Sequence, residues 1–250
     1  AHIWVGGYDK NLLEIKYENT VVGDDSIDLG VKDNPELEGK SPYNNIGGRK
    51  PFILTIHPLK LPDLVPKYSP NIKFAISYTY ETIASQLICY DPNPRSTSDI
   101  QRACTFTKEA TPESQGAPVV VTRIEQDITG GSTGEALYRV YFENQGNGKV
   151  LDFAVDPDDP VEKNPFTTGY RLGDVDEVTV MSIKIGDRTA DSANCRPGLG
   201  PKVVKLIDNK GVIFCKFNKA DLPKQAIETP ITIRLAYGYT HATTHKIDIE

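Results

Sequence analysis

The stretch Lys73–Tyr80 reads KFAISYTY, with Phe74, Ile76, Tyr78 and Tyr80 alternating against Lys73, Ala75, Ser77 and Thr79. A period of two over this length marks a half-buried β-strand, because successive side chains of an extended chain point to opposite faces. Upstream, Phe52, Leu54 and Ile56 share a face in the same way. Downstream, Thr82–Tyr90 continues apolar and brings in Cys89, and Asp91–Ser96 (DPNPRS) is a loop by composition. A short strand is predicted around Cys104–Thr107. Ile3–Val5, Leu12–Tyr17 and Ile27–Val31 are further short strand candidates, and Pro35–Lys50, rich in Pro, Gly and Asn, reads as a long loop.

The second half carries the same alternation. Val119–Gln126 and Ala136–Asn144 flank a Gly-rich tip, TGGSTG from Thr129, and form a predicted hairpin. In Val178–Ile185, Thr179, Met181, Ile183 and Ile185 alternate with Val178, Val180, Ser182 and Lys184. Val203–Ile207 and Val212–Phe217 flank the turn Asp208-Asn209-Lys210-Gly211, whose Asn and Gly tolerate positive φ. Ile231, Ile233, Leu235, Tyr237 and Tyr239 align on one face of the longest strand, and His245–Ile249 closes the chain. Only Asp159–Asn164 and Lys219–Gln225 suit a short helical turn.

Lys108–Pro118 (KEATPESQGAP) is polar and aperiodic, and a domain boundary is expected there. The chain is therefore read as all-β, with two tandem immunoglobulin-like β-sandwich domains, residues 1–114 and 115–250. Strand number and turn spacing in the second half fit that architecture.

Composition narrows the function classes. The net charge is −6, with no basic stripe, so nucleic acid and anionic membrane surfaces are not expected partners. No apolar run approaches the roughly 18 residues of a membrane helix. The chain starts at Ala1, and its one methionine is Met181. The amino end is read as processed, with a signal or anchor removed. The cysteines are Cys89, Cys104, Cys195 and Cys215. Pairing the close ones, Cys89 with Cys104 and Cys195 with Cys215, gives one bridge per expected domain, which fits an oxidising compartment. Their spacings match no zinc ribbon or finger.

Candidate sites are few. The tip TGGSTGE has Glu135 and a strand where a phosphate loop needs Lys and a helix, so it reads as a hairpin tip. His241 and His245 sit four apart at an expected hairpin turn without Glu or Cys nearby, and read as surface residues; His2 and His57 are isolated. No nucleophile-elbow motif occurs. Acidic clusters stand at Asp24-Asp25-x-x-Asp28, at Asp156, Asp158 and Asp159, and at Asp174, Asp176 and Glu177. Solvated loop carboxylates are the default for all three, with Asp156–Asp159 a minor calcium candidate. No catalytic residue, resident metal or cofactor is expected. Tyr138 and Tyr141 must face opposite sides of their strand, so one points outward, as a glycan platform requires.

Tyr138–Val150 (YRVYFENQGNGKV) resembles the strand-turn signature of prokaryotic extracellular immunoglobulin-like modules of the cell-adhesion type, in which an alternating strand runs into N-x-G-x-G. Here the turn is Asn144 to Gly148, where Gly can take positive φ and Asn can bond its own backbone. More broadly the chain is similar to predicted archaeal surface proteins, on SPYNNIGG from Ser41, QGAPVVVTRIE from Gln115, GVIFCKF from Gly211 and RLAYGY from Arg234. That resemblance implies an exported protein and brings no known activity or catalytic residues. No Asn lies in an N-glycosylation sequon.

The expectation is a non-enzymatic structural or adhesive extracellular protein, a filament-forming subunit whose partners are copies of itself joined by sheet-edge or strand-addition contacts. His2, Ile3, Trp4 and Val5 are the expected interface strand, against the simpler reading that they pair within their own domain. A surface module binding glycans or proteins is the alternative.

Overall fold

The structure, a computed structural model, describes the chain outside residues 19, 23–25, 29–38, 41–43, 45, 50, 63–65, 97–101, 130–133, 154–162, 167–168 and 201. It is all-β, with 3-10 turns at Ser192–Asn194 and Lys219–Asp221. The strands are β1 (His2–Gly6), β2 (Leu13–Tyr17), β3 (Thr20–Val21), β4 (Ser26–Asp28), β5 (Leu54–Pro58), β6 (Asn71–Tyr90), β7 (Glu109–Ala110), β8 (Val119–Ile128), β9 (Glu135–Asn144), β10 (Lys149–Leu151), β11 (Glu177–Ile185), β12 (Arg188–Thr189), β13 (Cys195–Arg196), β14 (Val203–Lys205), β15 (Lys210–Asn218) and β16 (Ile227–Lys246). An eight-stranded sheet has the main order β12-β11-β16-β6-β1-β4, with β10 and β14 attached to β16 and β11. A five-stranded sheet runs β13-β15-β9-β8-β7, and a three-stranded sheet β3-β2-β5.

The segments Lys73–Tyr80 and Thr82–Tyr90 are one strand. All 20 residues of β6 pair antiparallel with β16, from Asn71 opposite Lys246 to Tyr90 opposite Ile227. This ribbon joins residues from both sides of the expected boundary at 114/115. Two cores lie on the same face of it. Even-numbered β6 positions Ile72, Phe74 and Ile76 pack with Ile3, Val5, Leu13, Ile15 and Ile27 in a smaller core, closed by the three-stranded sheet. The even series continues through Tyr78, Tyr80, Ala84 and Ile88 into a larger core. There, Val178, Ile183, Ile233 and Leu235 of the large sheet meet Val121, Val140, Phe142 and Ile213 of the five-stranded sheet. Cys89 and Cys104 belong to the amino-terminal side of the expected boundary, yet Ala84, Ile88 and Tyr90 beside them are buried in this second core.

Four local expectations are corrected. In β11 a bulge between Val180 and Ser182 shifts the alternation, so Val178, Val180, Ile183 and Ile185 are buried and Met181 is left 43% exposed. Cys104–Thr107 forms no strand; the chain enters the five-stranded sheet only where the Gln126 N–H donates to the Lys108 carbonyl, ahead of β7. The positive φ of the 208–211 turn falls on Asp208 (51°) and Asn209 (65°). Gly211 is instead a paired strand residue, its missing side chain making room for the Phe142 ring. His241 and His245 occupy no turn; both are exposed along β16.

Pro230 within β16 is tolerated because pairing with β11 ends at Ile231, so that flank has no ladder bond to lose. Its carbonyl still accepts from Gly186.

Candidate interaction surfaces

β1 lies inside the large sheet. It pairs with β6 from His2–Ser77 to Gly6–Lys73 and with β4 on its other flank. Ile3 and Val5 enter the smaller core, and Trp4 is buried on the opposite face, stacked at 5.8 Å on His2. The proposed interface strand thus pairs within its own chain. Gly7 follows at φ 80°, with its Cα against the Asn71 carbonyl, where a Cβ has no room.

Beyond Ser77 the situation changes. Among the described residues, β6 from Tyr78 to Tyr90 pairs along one flank only, with β16. The other flank continues the line that β1 begins. Toward its far end two β6 carbonyls already accept from side chains, Leu87 from Gln86 Nε2 at 3.0 Å and Cys89 from Gln126 Nε2 at 3.1 Å. A cleft of about 380 Å³ opens beside the flank, lined by Lys40, Tyr80, Ile83, Ser85, Glu113 and Gln115. Ile83 and Leu87 are 58% and 57% exposed. Unpaired strand flanks present a row of backbone donors and acceptors that another extended chain can complete.

Four tyrosines line the ribbon beside that flank. Tyr78 stands opposite Tyr239 and Tyr80 opposite Tyr237, with centroids 5.8 and 5.9 Å apart. The Tyr237 hydroxyl shares a 2.9 Å hydrogen bond with Thr82 and accepts from the Val119 N–H at 3.1 Å. Burial pushes the Tyr78 phenol up to about 12, with smaller contributions from Tyr239 and Tyr80, and burial also raises Tyr80 and Tyr237. Tyr78, Tyr80 and Tyr237 are structural phenols, kept protonated through the neutral range.

In the N-x-G-x-G turn the expected Asn bonds form, but neither Gly146 nor Gly148 takes a positive φ; both are required instead by the close approach of Tyr239. Asn144 Oδ1 accepts from the Gly146 N–H, and Asn144 Nδ2 donates to the Gly148 carbonyl. The Gly148 N–H donates to the Tyr239 hydroxyl at 2.6 Å, and a Cβ at Gly148 would strike the Thr240 carbonyl and the Tyr239 ring.

The two disulfides are Cys89–Cys104 and Cys195–Cys215, with no free cysteine. They fit an oxidising compartment. No helix among the described residues is long and apolar enough to cross a membrane, and no group of three or more His, Cys, Asp and Glu among them is placed to hold a metal. Asp156, Asp158 and Asp159 lie outside the described residues. Asp174 is instead a structural acid. Burial alone would raise it, but the Arg171 N–H and the Lys163 ammonium, 3.1 Å from both its oxygens, together hold it below the usual carboxylate range.

Tyr138 is buried and Tyr141 faces outward on the five-stranded sheet, among groups that sequence reasoning did not assemble. Glu125 bonds Arg139 and the Tyr141 hydroxyl, each at 3.2 Å, and pairs with Arg123 at 3.3 Å. Arg123 lies 4.2 Å over the Tyr141 ring. Strand alternation places Glu125, Arg139 and Tyr141 on the outer face. The disulfide also held a signal, because joining Cys195 to Cys215 in antiparallel register sets Arg196 opposite Phe214. No family model, no curated protein and no solved structure matches the chain.

Proposed function

We propose that this is a non-enzymatic extracellular structural or adhesive protein, a subunit of a cell-surface polymer built from immunoglobulin-like sandwich modules. Neighbouring copies join when an extended segment of one pairs along the Tyr78–Tyr90 flank of β6 in the next. The observation that carries this reading is that flank: β6 from Tyr78 onward, collinear with β1 and paired with another strand on one side only among the described residues, with carbonyls held by side chains at Leu87 and Cys89. Strand addition at such a site draws affinity from main-chain hydrogen bonds. The disulfides and the resemblance to exported surface proteins support the compartment.

Electron microscopy of the purified chain, with hydrogen exchange before and after assembly, tests it. Filaments with new protection confined to Tyr78–Tyr90 are expected. A chain that stays monomeric, or that assembles without new protection there, overturns the reading. Deleting residues 1–7 asks whether β1 itself is the exchanged strand, and unchanged assembly assigns that role to another segment.

A second reading, a glycan-binding surface module, is favoured by the outward Tyr141 and the arginines fixed around it.

A further inference from the structure

One cross-strand row of the five-stranded sheet runs Arg196, Phe214, Arg139, Glu125 across β13, β15, β9 and β8, each residue opposite the next. Phe214 is an aromatic ring 38% exposed on a face that needs none for its own core. The Arg139 guanidinium stands 5.9 Å from its centroid, and Arg196 is its partner on the other side. Both guanidiniums are oriented by the protein. Arg139 Nη1 is fixed by Glu125, whose side chain is only 13% exposed, and Arg196 Nη1 donates to the carbonyls of Ala193 and Cys195. An arginine has five donors in a planar fork, so these contacts leave an edge of each fork for an incoming planar anion.

We infer that this row binds acidic polysaccharide, a chain of uronate sugars. The inference rests on the glycan-binding reading and names its ligand class. A pyranose ring offers an apolar C–H face to Phe214, and its carboxylate offers the flat two-oxygen edge that a guanidinium matches. A simple carboxylate would leave the ring unused. A neutral sugar would leave the forks unused. A folded protein partner requires a broad apolar centre, and here the outward apolar side chains beside Phe214, namely Leu137, Val212 and Tyr141, are set among Arg123, Glu125, Arg139 and Lys216. Forks already held in place lose little freedom on binding.

The test is affinity electrophoresis of the intact chain in gels containing polygalacturonate or neutral dextran, near physiological salt, beside a glycan array. Polygalacturonate is expected to retard the protein and dextran to leave it unaffected. Phe214→Ala and Arg139→Gln are each expected to weaken the retardation about tenfold, the size of one stacking or charge-assisted contact, the former at an unchanged thermal midpoint because its ring is exposed on the outer face. Equal retardation of the variants, or none of the wild type by polygalacturonate, overturns the inference. Array binding confined to neutral glycans would overturn it and leave the glycan reading standing. An array without any hit would end both.

Discussion

The Tyr237 hydroxyl holds two buried groups, the Thr82 hydroxyl and the Val119 amide. Tyr237→Phe therefore leaves a buried N–H without a partner, and a loss of about 1–3 kcal/mol in urea unfolding is expected. Tyr138→Phe is the matched control. Its hydroxyl is buried with no hydrogen-bond partner among the described residues, so its removal is expected to be neutral or stabilising in the same assay. The tyrosines also set a pH dependence. Tyr78 is raised from 10.0 to about 12 in the folded chain, so the unfolded chain gives up that proton first. Stability from this group is full below pH 10 and is lost as pH rises from there through about 12. Urea midpoints measured across that window are expected to fall, and to fall less in Tyr78→Phe. These roles were only half legible. Alternation put Tyr78, Tyr80, Tyr237 and Tyr239 on strands, but which hydroxyl meets which amide depends on a partner strand far away in sequence.

At the scale of elements, alternation located β6, β8, β9, β15 and β16 because each buries one face. It failed where pairing rather than pattern decides. The bulge in β11 adds one residue and reverses the faces, which no residue type near Met181 announces. Cys104–Thr107 is apolar enough for a strand, yet the ladder with β8 begins only near Lys108. The pairing of β6 with β16 was illegible for the same reason: each strand is readable alone, and nothing local names its partner. The union of two cores on one ribbon has a measurable consequence. Deleting residues 1–7 removes Ile3 and Val5 from the smaller core alone. Hydrogen exchange is expected to speed at Leu13–Tyr17 and Ile72–Ile76, with protection kept across Val119–Ile128 and Ile231–Tyr239. Uniform loss of protection would show that the two cores are a single cooperative unit.

For the whole molecule, covalent and non-covalent organisation divide the work. The bridges close loops of 15 and 20 residues of sequence separation, and each is expected to add about 3 kcal/mol by restricting the unfolded chain. Replacing either pair with Ser is expected to lower the urea unfolding free energy by about that amount. The Cys195/Cys215 replacement is also expected to loosen Arg196 from its place opposite Phe214, weakening any ligand held there. The open β6 flank and the arginine row lie on different sheets, so assembly and carbohydrate binding are predicted to be separable by mutation.

The β6–β16 ribbon gives the molecule a direction of strength. Asn71 and Ile227 sit at its opposite ends, whereas Tyr90 and Ile227 share one end. Tension applied between the first two loads all the ladder bonds in shear at once, and the ribbon resists as a unit. Tension applied between the second two peels it one pair at a time. A filament whose joints pull along β6 therefore withstands far more force than one whose joints pry the ribbon open, and force spectroscopy with paired attachment points at these positions would read that anisotropy directly.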